Sequence, residues 1–299
     1  MELRQLEHFV AVAQEMNFSR AAERVHIVQS ALSTSIAKLE KELGVPLFDR
    51  SRRQITLTTP GEVFLEHART VLQNVRTAAE AVTAFEGQLT GVVEFGTLMS
   101  SGPLDLPRIL GEFRRRHRFV TVRMRQSPYG SAGHLAAVAN GTLDLALVSS
   151  TSAASERIVL RRLSTEELVY VCAGRHRFAG RRSVRIVDLS NEPLIGYAEG
   201  WGLRGTLDRA FGAADIAPPV AFEVADYDMA ANLVRQELGG TVLPAGVARR
   251  FPDLSTVALT PTINWSLHLA TPRSGTRAAT RELIAMLLAD ADADAVDPT

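Results

Sequence analysis

The chain has 299 residues, enough for about two domains, and its 46% hydrophobic and 22% charged residues make the mix of a folded globular protein. This composition excludes a disordered, collagen-like or disulfide-stapled chain. Basic and acidic residues number 33 each, so a nucleic-acid surface must be a local patch and not the whole protein. The single cysteine, Cys172, excludes an internal disulfide and a multi-cysteine zinc or iron–sulfur site. The N-terminus shows no basic start followed by an apolar run, so no signal peptide is expected. The longest uncharged stretch, Leu254–Pro272, is interrupted by Pro261 and Asn264 and does not read as a membrane span. A cytoplasmic protein with no membrane partner is expected.

Residues 1–58 read as short helices closed by a small hairpin. Leu3, Leu6, Phe9, Val10 and Ala13 recur at helical spacing. A second helix starts near Ser19, a candidate N-cap, with Ala21, Ala22 and Val25 inward. A third starts at Gln29 or Ser30 and stops at Gly44. Arg50, Ser51, Arg52 and Arg53 then precede the alternating strand Gln54–Thr58. Thr59-Pro60-Gly61-Glu62 opens a long helix, with Thr59 as cap, and the helix is expected to reach about Gly87. Its apolar residues Phe64, Ala68, Val71, Val75, Ala78, Val82 and Phe85 alternate in steps of four and three, a heptad seam. Such a seam packs on the body of its own chain or on the same helix of a second copy, and the second reading is favoured here.

Gln88–Gly91 reads as a linker, after which strands and helices alternate. Strands are expected at Val92–Gly96, Val120–Arg125, Leu143–Val148, Leu168–Cys172, Pro193–Tyr197 and Phe222–Ala225. Helices are expected at Leu104–His117, His134–Asn140, Leu203–Ala213, Met229–Glu237 and Ala278–Asp290. This alternation implies parallel sheets, in two α/β lobes. The alternating Ala/Asp tail reads as disordered, with the last domain ending near residue 292.

Around the third helix, Leu32, Ile36, Leu39 and Leu43 share one apolar face. Opposite lie Ser30, Thr34, Ala37 and Lys41, flanked by Ser33 and Lys38, with no carboxylate among them. Small hydroxyls and a methyl admit base edges, lysines reach phosphates, and Gln29 suits an adenine edge or a phosphate. Arg52 and Arg53 at a hairpin tip suit a minor groove. Residues 17–58 carry seven basic side chains against four acidic ones. The physical reading is a winged helix-turn-helix on double-stranded DNA.

Phe18-Ser19-Arg20-Ala21-Ala22-Glu23, Gln29-Ser30-Ala31-Leu32-Ser33, Leu39–Gly44, Leu47–Arg50 and Leu57–Gly61 stand in order and at correct spacing. Together they resemble the LysR-type transcriptional regulators. The likeness continues through Thr142–Leu147 and Leu238–Pro244 and covers the chain to about residue 290. It implies a DNA-binding domain (1–58), a linker and dimerisation helix (59–90) and an effector domain (91–292) of two lobes resembling periplasmic binding proteins. Lobe I would take 91–161 and 268–292, lobe II 162–267, leaving a tail at 293–299. The chain would cross between lobes near Arg161–Leu163 and Leu267–Ala270. The resemblance also implies a homodimer or homotetramer, and maps DNA contacts onto Gln29, Ser30, Ser33, Thr34, Arg52 and Arg53. Val28 stands where the family commonly has Ser or Thr, and Thr34 and Ser35 where Arg and Gln are frequent, which bears on which operator is read.

In an open α/β lobe, ligands bind at strand carboxyl ends against helix N-termini. That rule selects Ser100 and Ser101, Ser127 and Tyr129, and Ser149 in the first lobe. In the second it selects Tyr197, Trp201, Gly202, Arg204 and Tyr227. Hydroxyls and helix ends favour a small anion, with Arg204 gripping a carboxylate. Gly200-Trp201-Gly202-Leu203-Arg204-Gly205 also fits a dinucleotide fingerprint, but Trp at its second position would crowd a pyrophosphate. Cys172 with His176 has no third orienting group and reads as a core thiol. No histidine spacing suggests a metal, and Arg114–Arg118 reads as a solvated helix end. The expectation is a DNA-binding regulator controlled by a small-molecule effector, with no catalytic residue and no cofactor. A solute sensor without DNA function, or an enzyme using the cleft, are the rival readings.

Overall fold

Phe9, sealed from solvent, is the hub of the N-terminal unit: its ring meets Phe48 at 5.3 Å and Phe64 at 5.0 Å. The computed structural model describes residues 1–50, 55–84, 89–98, 101–102, 104–127, 129–149, 154–199 and 201–296. The chain divides into two units, Met1–Glu86 and Gly87–Thr299.

In the first unit α1 (Leu3–Glu15), α2 (Phe18–Arg24) and α3 (Gln29–Leu43) enclose Leu6, Val12, Ala21, Leu32, Ile36 and Leu39. The cap of α2 is Asn17, not Ser19: its carboxamide oxygen accepts from the amides of Ser19 at 2.9 Å and Arg20 at 3.1 Å. Gly44 ends α3 in the left-handed region at φ 74°, which favours glycine. Leu43 is more exposed than its place on the apolar face implies, at the last residue of α3. Strands β1 (Phe48–Asp49) and β2 (Thr56–Leu57) pair antiparallel at the base of the hairpin. Its tip, with Arg52 and Arg53, lies outside the described residues.

Helix α4 (Thr59–Ala84) is capped by Thr58, one residue before the expected Thr59, through Gly61 N–H to Thr58 Oγ1 at 3.0 Å. A Cβ on Gly61 would lie 2.1 Å from the Leu47 carbonyl oxygen, so the helix start can press on the β1 entry only with glycine there. The heptad seam splits. Phe64 and Ala68 pack into their own unit's core with Leu72, so the seam's first part follows the own-chain reading. Val71, Val75 and Ala78 are exposed, the first two at 40% and 42%. Phe85 lies outside the described residues.

The second unit begins with β3 (Thr90–Gly96), which takes in Thr90 and Gly91 from the expected linker. Then come α5 (Leu106–Arg116), β4 (Phe119–Arg125), α6 (Gly130–Ala139) and β5 (Leu145–Val148). The long strand β6 (Ile158–Cys172) leads to β7 (Ser183–Arg185), β8 (Leu194–Tyr197), α7 (Gly202–Ala213) and β9 (Val220–Val224). Then follow α8 (Tyr227–Arg235), β10 (Thr241–Pro244), α9 (Ala245–Ala248), β11 (Ser255–Thr260), β12 (Asn264–Pro272) and α10 (Ala278–Val296).

The strand order is β4-β3-β5-β12-β6-β11-β7, with β10 also on β6 and β8-β9 as a separate parallel pair. Only part of this is the expected parallel sheet. β4, β3 and β5 run parallel, while β12 lies antiparallel to β5 and β6, and β10 and β11 antiparallel to β6. The reason is topological. β6 carries the chain out of lobe I and β12 carries it back, so the two run in opposite directions along a shared ladder. That ladder shifts register between Leu267 and His268, opposite Leu163. The Ala/Asp run expected to be disordered continues α10 to Val296; alanine has the highest helix propensity and extends the preceding helix. Residues 297–299 lie outside the described residues.

Candidate functional site

On α3, Gln29, Ser30, Thr34 and Lys38 are exposed and Ser33 is half-buried. No side chain caps the helix at Val28. Several polar groups are already engaged: Gln29 Nε2 donates to Ser33 Oγ at 3.3 Å, and Thr34 Oγ1 to Ser30 O at 2.9 Å. Ser35 Oγ meets His8 Nδ1 at 2.8 Å, and burial with the nearby Arg4 lowers the His8 pKa. Glu2 shares a surface hollow with Ser30, Thr34 and Lys38, while the two acids of α3 itself near this face are tied off. Glu40 accepts from the Leu47 amide at 2.8 Å and the Phe48 amide at 3.1 Å, and pairs with Arg50 at 2.9 Å. That takes Arg50 into the fold of the hairpin. Glu42 joins the N-terminal ammonium of Met1. The outward face of α3 thus offers hydroxyls, amides and Lys38, with Glu40 and Glu42 each paired to a cation.

The second site is a cavity between the lobes of the C-terminal unit. Lobe I contributes Thr97, Leu98, Gln126, Ser127, Gly130, His134 and Ser149, and lobe II Trp201, Gly202, Leu203, Tyr227 and Trp265. Two helices start on it: α6 at Gly130 and α7 at Gly202. A Cβ on Gly202 would lie 2.0 Å from Ser149 Oγ and 2.9 Å from its carbonyl carbon. The second glycine of the fingerprint motif therefore meets protein where a pyrophosphate would need room. His134 is buried, and its Nε2 bonds the Thr97 carbonyl at 3.0 Å. Burial lowers its pKa, which favours the neutral ring.

Of the effector residues expected from sequence, Ser127, Ser149, Trp201, Gly202 and Tyr227 come together here. Four others do not. Ser101 Oγ donates to the Leu104 carbonyl at 2.9 Å and shapes its own loop. Tyr129 is 72% exposed. Tyr197 is fully buried, stacked under Trp201 and bonded to Thr241 Oγ1 at 3.0 Å. Arg204 is held by Asp208 one turn on, at 2.8 Å, and by the Tyr197 carbonyl at 3.1 Å, so its guanidinium is spent on its own lobe. Ser100 lies outside the described residues.

Residues 3–62 match the family model "Bacterial regulatory helix-turn-helix protein, lysR family", and residues 86–292 match "LysR substrate binding domain". The chain is 34% identical over 244 residues to the HTH-type transcriptional regulator YybE of Bacillus subtilis, covering 82% of each protein. It is 36% identical over 258 residues to the HTH-type transcriptional regulator ShiR of Corynebacterium glutamicum, covering 84% of this chain and 85% of ShiR. The chain belongs to the LysR family. A full-length OxyR variant from Pseudomonas aeruginosa has the same fold, with TM-score 0.75 and 23% identity over 97% of this chain and 94% of that one.

As a LysR-family protein it is a DNA-binding transcriptional regulator with an effector-binding domain. Sequence reasoning missed several residues lining the cavity of this LysR domain, chiefly His134 and Trp265. His134 carries a signal in hindsight, as a titratable residue on the buried side of α6, beside Leu135 and Val138. Cys172 is buried in β6, and burial pushes its thiol up to about 11. His176 bonds Glu192 at 2.8 Å. Among the described residues no group of three or more His, Cys, Asp or Glu could hold a metal, and no helix is long and apolar enough to cross a membrane.

Proposed function

We propose that the outward face of α3 reads operator bases through Gln29, Ser30, Ser33 and Thr34, that Lys38 meets phosphate, and that Arg52 and Arg53 of the wing reach a minor groove. The observation that carries this reading is electrostatic: Glu40 and Glu42, the acids of α3 that flank that face, are each bound by a cation of the same unit. The exposed stripe of Val71, Val75 and Ala78 on α4 is the surface on which two copies pair, as a homodimer or within a homotetramer.

The effector is a small organic acid held between the lobes. Its anionic group faces the start of α6 and α7, with Ser127 and Ser149 beside it and Trp201 and Tyr227 against its body. The cavity is about 50 Å³, whereas ligand pockets run to roughly 300–1,000 Å³. Effector uptake therefore parts the lobes, and the change reaches the paired reading heads as altered half-site spacing or DNA bend.

Selection of DNA sites by the purified protein, with affinity followed against salt, tests the reading. A partly palindromic site lost on Ser33→Glu is expected. Weak binding that ignores both sequence and Ser33 would remove α3 as the reading head.

A further inference from the structure

Trp265, on β12, lines the interlobe cavity and is 2% exposed, yet its Nε1–H has no hydrogen-bond partner. Buried donors are seldom left unpaired. In the β12/β6 ladder Trp265 stands opposite Glu166, and Leu267 opposite Ser164. Opposite residues of an antiparallel pair project from one face, and residues two apart share that face. Ser164, Glu166, Trp265 and Leu267 therefore form one patch. Glu166 Oε1 accepts from the Gly246 amide at 2.8 Å, but Oε2 is buried without a partner, as is Ser164 Oγ. The charge of Glu166 bears on Tyr227, another residue of the cavity wall, and adds to the burial that raises the Tyr227 pKa. A donor in the cavity wall and, opposite it on the neighbouring strand, a carboxylate acceptor thus share one sheet face, both unsatisfied.

We propose that Trp265 and Glu166 form an effector subsite for an organic acid bearing a proton-donating substituent, an ammonium or a hydroxyl group. Trp265 Nε1–H donates to an oxygen of the effector, and Glu166 Oε2 accepts from the substituent. A plain carboxylic acid brings a second negative charge beside Glu166 and nothing to offset it, so the subsite selects against it. The proposal rests on the interlobe cavity being the effector site.

The chain has two tryptophans, Trp201 and Trp265, so labelling with 5-fluorotryptophan gives two fluorine resonances, assigned with Trp201→Phe. The full-length protein is titrated with phenylalanine, 3-phenyllactate and 3-phenylpropionate, and with leucine and its 2-hydroxy and unsubstituted analogues. The Trp265 resonance is expected to respond to the amino or hydroxy member of a series at least about ten-fold more tightly than to the plain acid. The amino and hydroxy arms separate the two donors. In Glu166→Gln that preference should collapse while the Trp201 response persists. Plain acids moving Trp265 as readily as the others, or a preference unchanged in Glu166→Gln, would overturn the subsite. A response at Trp201 with Trp265 silent overturns the subsite and leaves the cavity reading standing. Silence at both tryptophans across both series overturns both. The ratio in the unaltered protein is decisive by itself, even if Glu166→Gln is unstable.

Discussion

Along α3, Gln29, Ser30, Thr34 and Lys38 stand in solvent on a helix whose other side is sealed by Leu32, Ile36 and Leu39. Around the interlobe cavity, Thr97, His134, Tyr227 and Trp265 are themselves buried. On the proposed reading the first arrangement separates recognition from stability, because its polar side chains bond only within their own helix and fill no core. The second joins them, because the same side chains line the cavity and are packed or bonded in the interior of the domain. Substitutions should therefore divide cleanly on α3 and not in the cavity.

The strongest test of that division is Ser33→Glu. A carboxylate brought against DNA should weaken operator binding about 30- to 100-fold, while the melting temperature moves by no more than about 2 °C. Comparable losses of affinity and stability would break the comparison. Gly202→Ala probes the other side. Its new methyl meets Ser149, and overpacking of this kind costs about 1–3 kcal/mol. Denaturant unfolding should show that loss together with an altered effector response. Asn17→Ala removes the α2 cap and should cost about 1 kcal/mol, measurable by thermal unfolding and felt on DNA only through stability. Lys38→Ala should lower the slope of log affinity against log salt by about 1, read by titration at several salt concentrations, with stability unchanged.

The smallest effect concerns pH. His134 and His8 both have pKa values lowered from 6.5, chiefly by burial. Below about pH 6.5 the unfolded chain takes up protons that the folded chain resists, so stability falls as pH drops and is unaffected well above it. Melting between pH 7.5 and 5.5 should decline, and less steeply in His134→Gln, where the amide can still donate to the Thr97 carbonyl.

The two sites also differ in how far the sequence discloses them. The face of α3 is legible because one continuous segment carries it, and a period of 3.6 sorts its residues without knowledge of the rest. The cavity draws on segments from Thr97 to Trp265, and no local period brings His134 to Trp265. Arg204 is instructive. A cation near a helix start suggests an anion site, yet Asp208 four residues on is the partner that local spacing already offers. Tyr197 misleads in another way, since an aromatic at a strand end can be sealed beneath its neighbour. The first half of β6 is hidden by its polarity. Arg161, Arg162, Glu166 and Glu167 give no alternating apolar pattern, so the expected strand starts only at Leu168, whereas pairing with the returning β12 carries it back to Ile158. The tail fails by composition: Ala/Asp alternation looks unstructured, but alanine prolongs a helix that already exists.

The sealed thiol of Cys172 has a practical consequence for watching the lobes move. At neutral pH a maleimide dye reacts with exposed thiolates, and Cys172 is neither exposed nor ionised. The native sequence is thus already a silent background for site-specific labelling. One cysteine placed on the outer surface of each lobe would make a fluorescent ruler across the cavity, with no native residue replaced to quiet it.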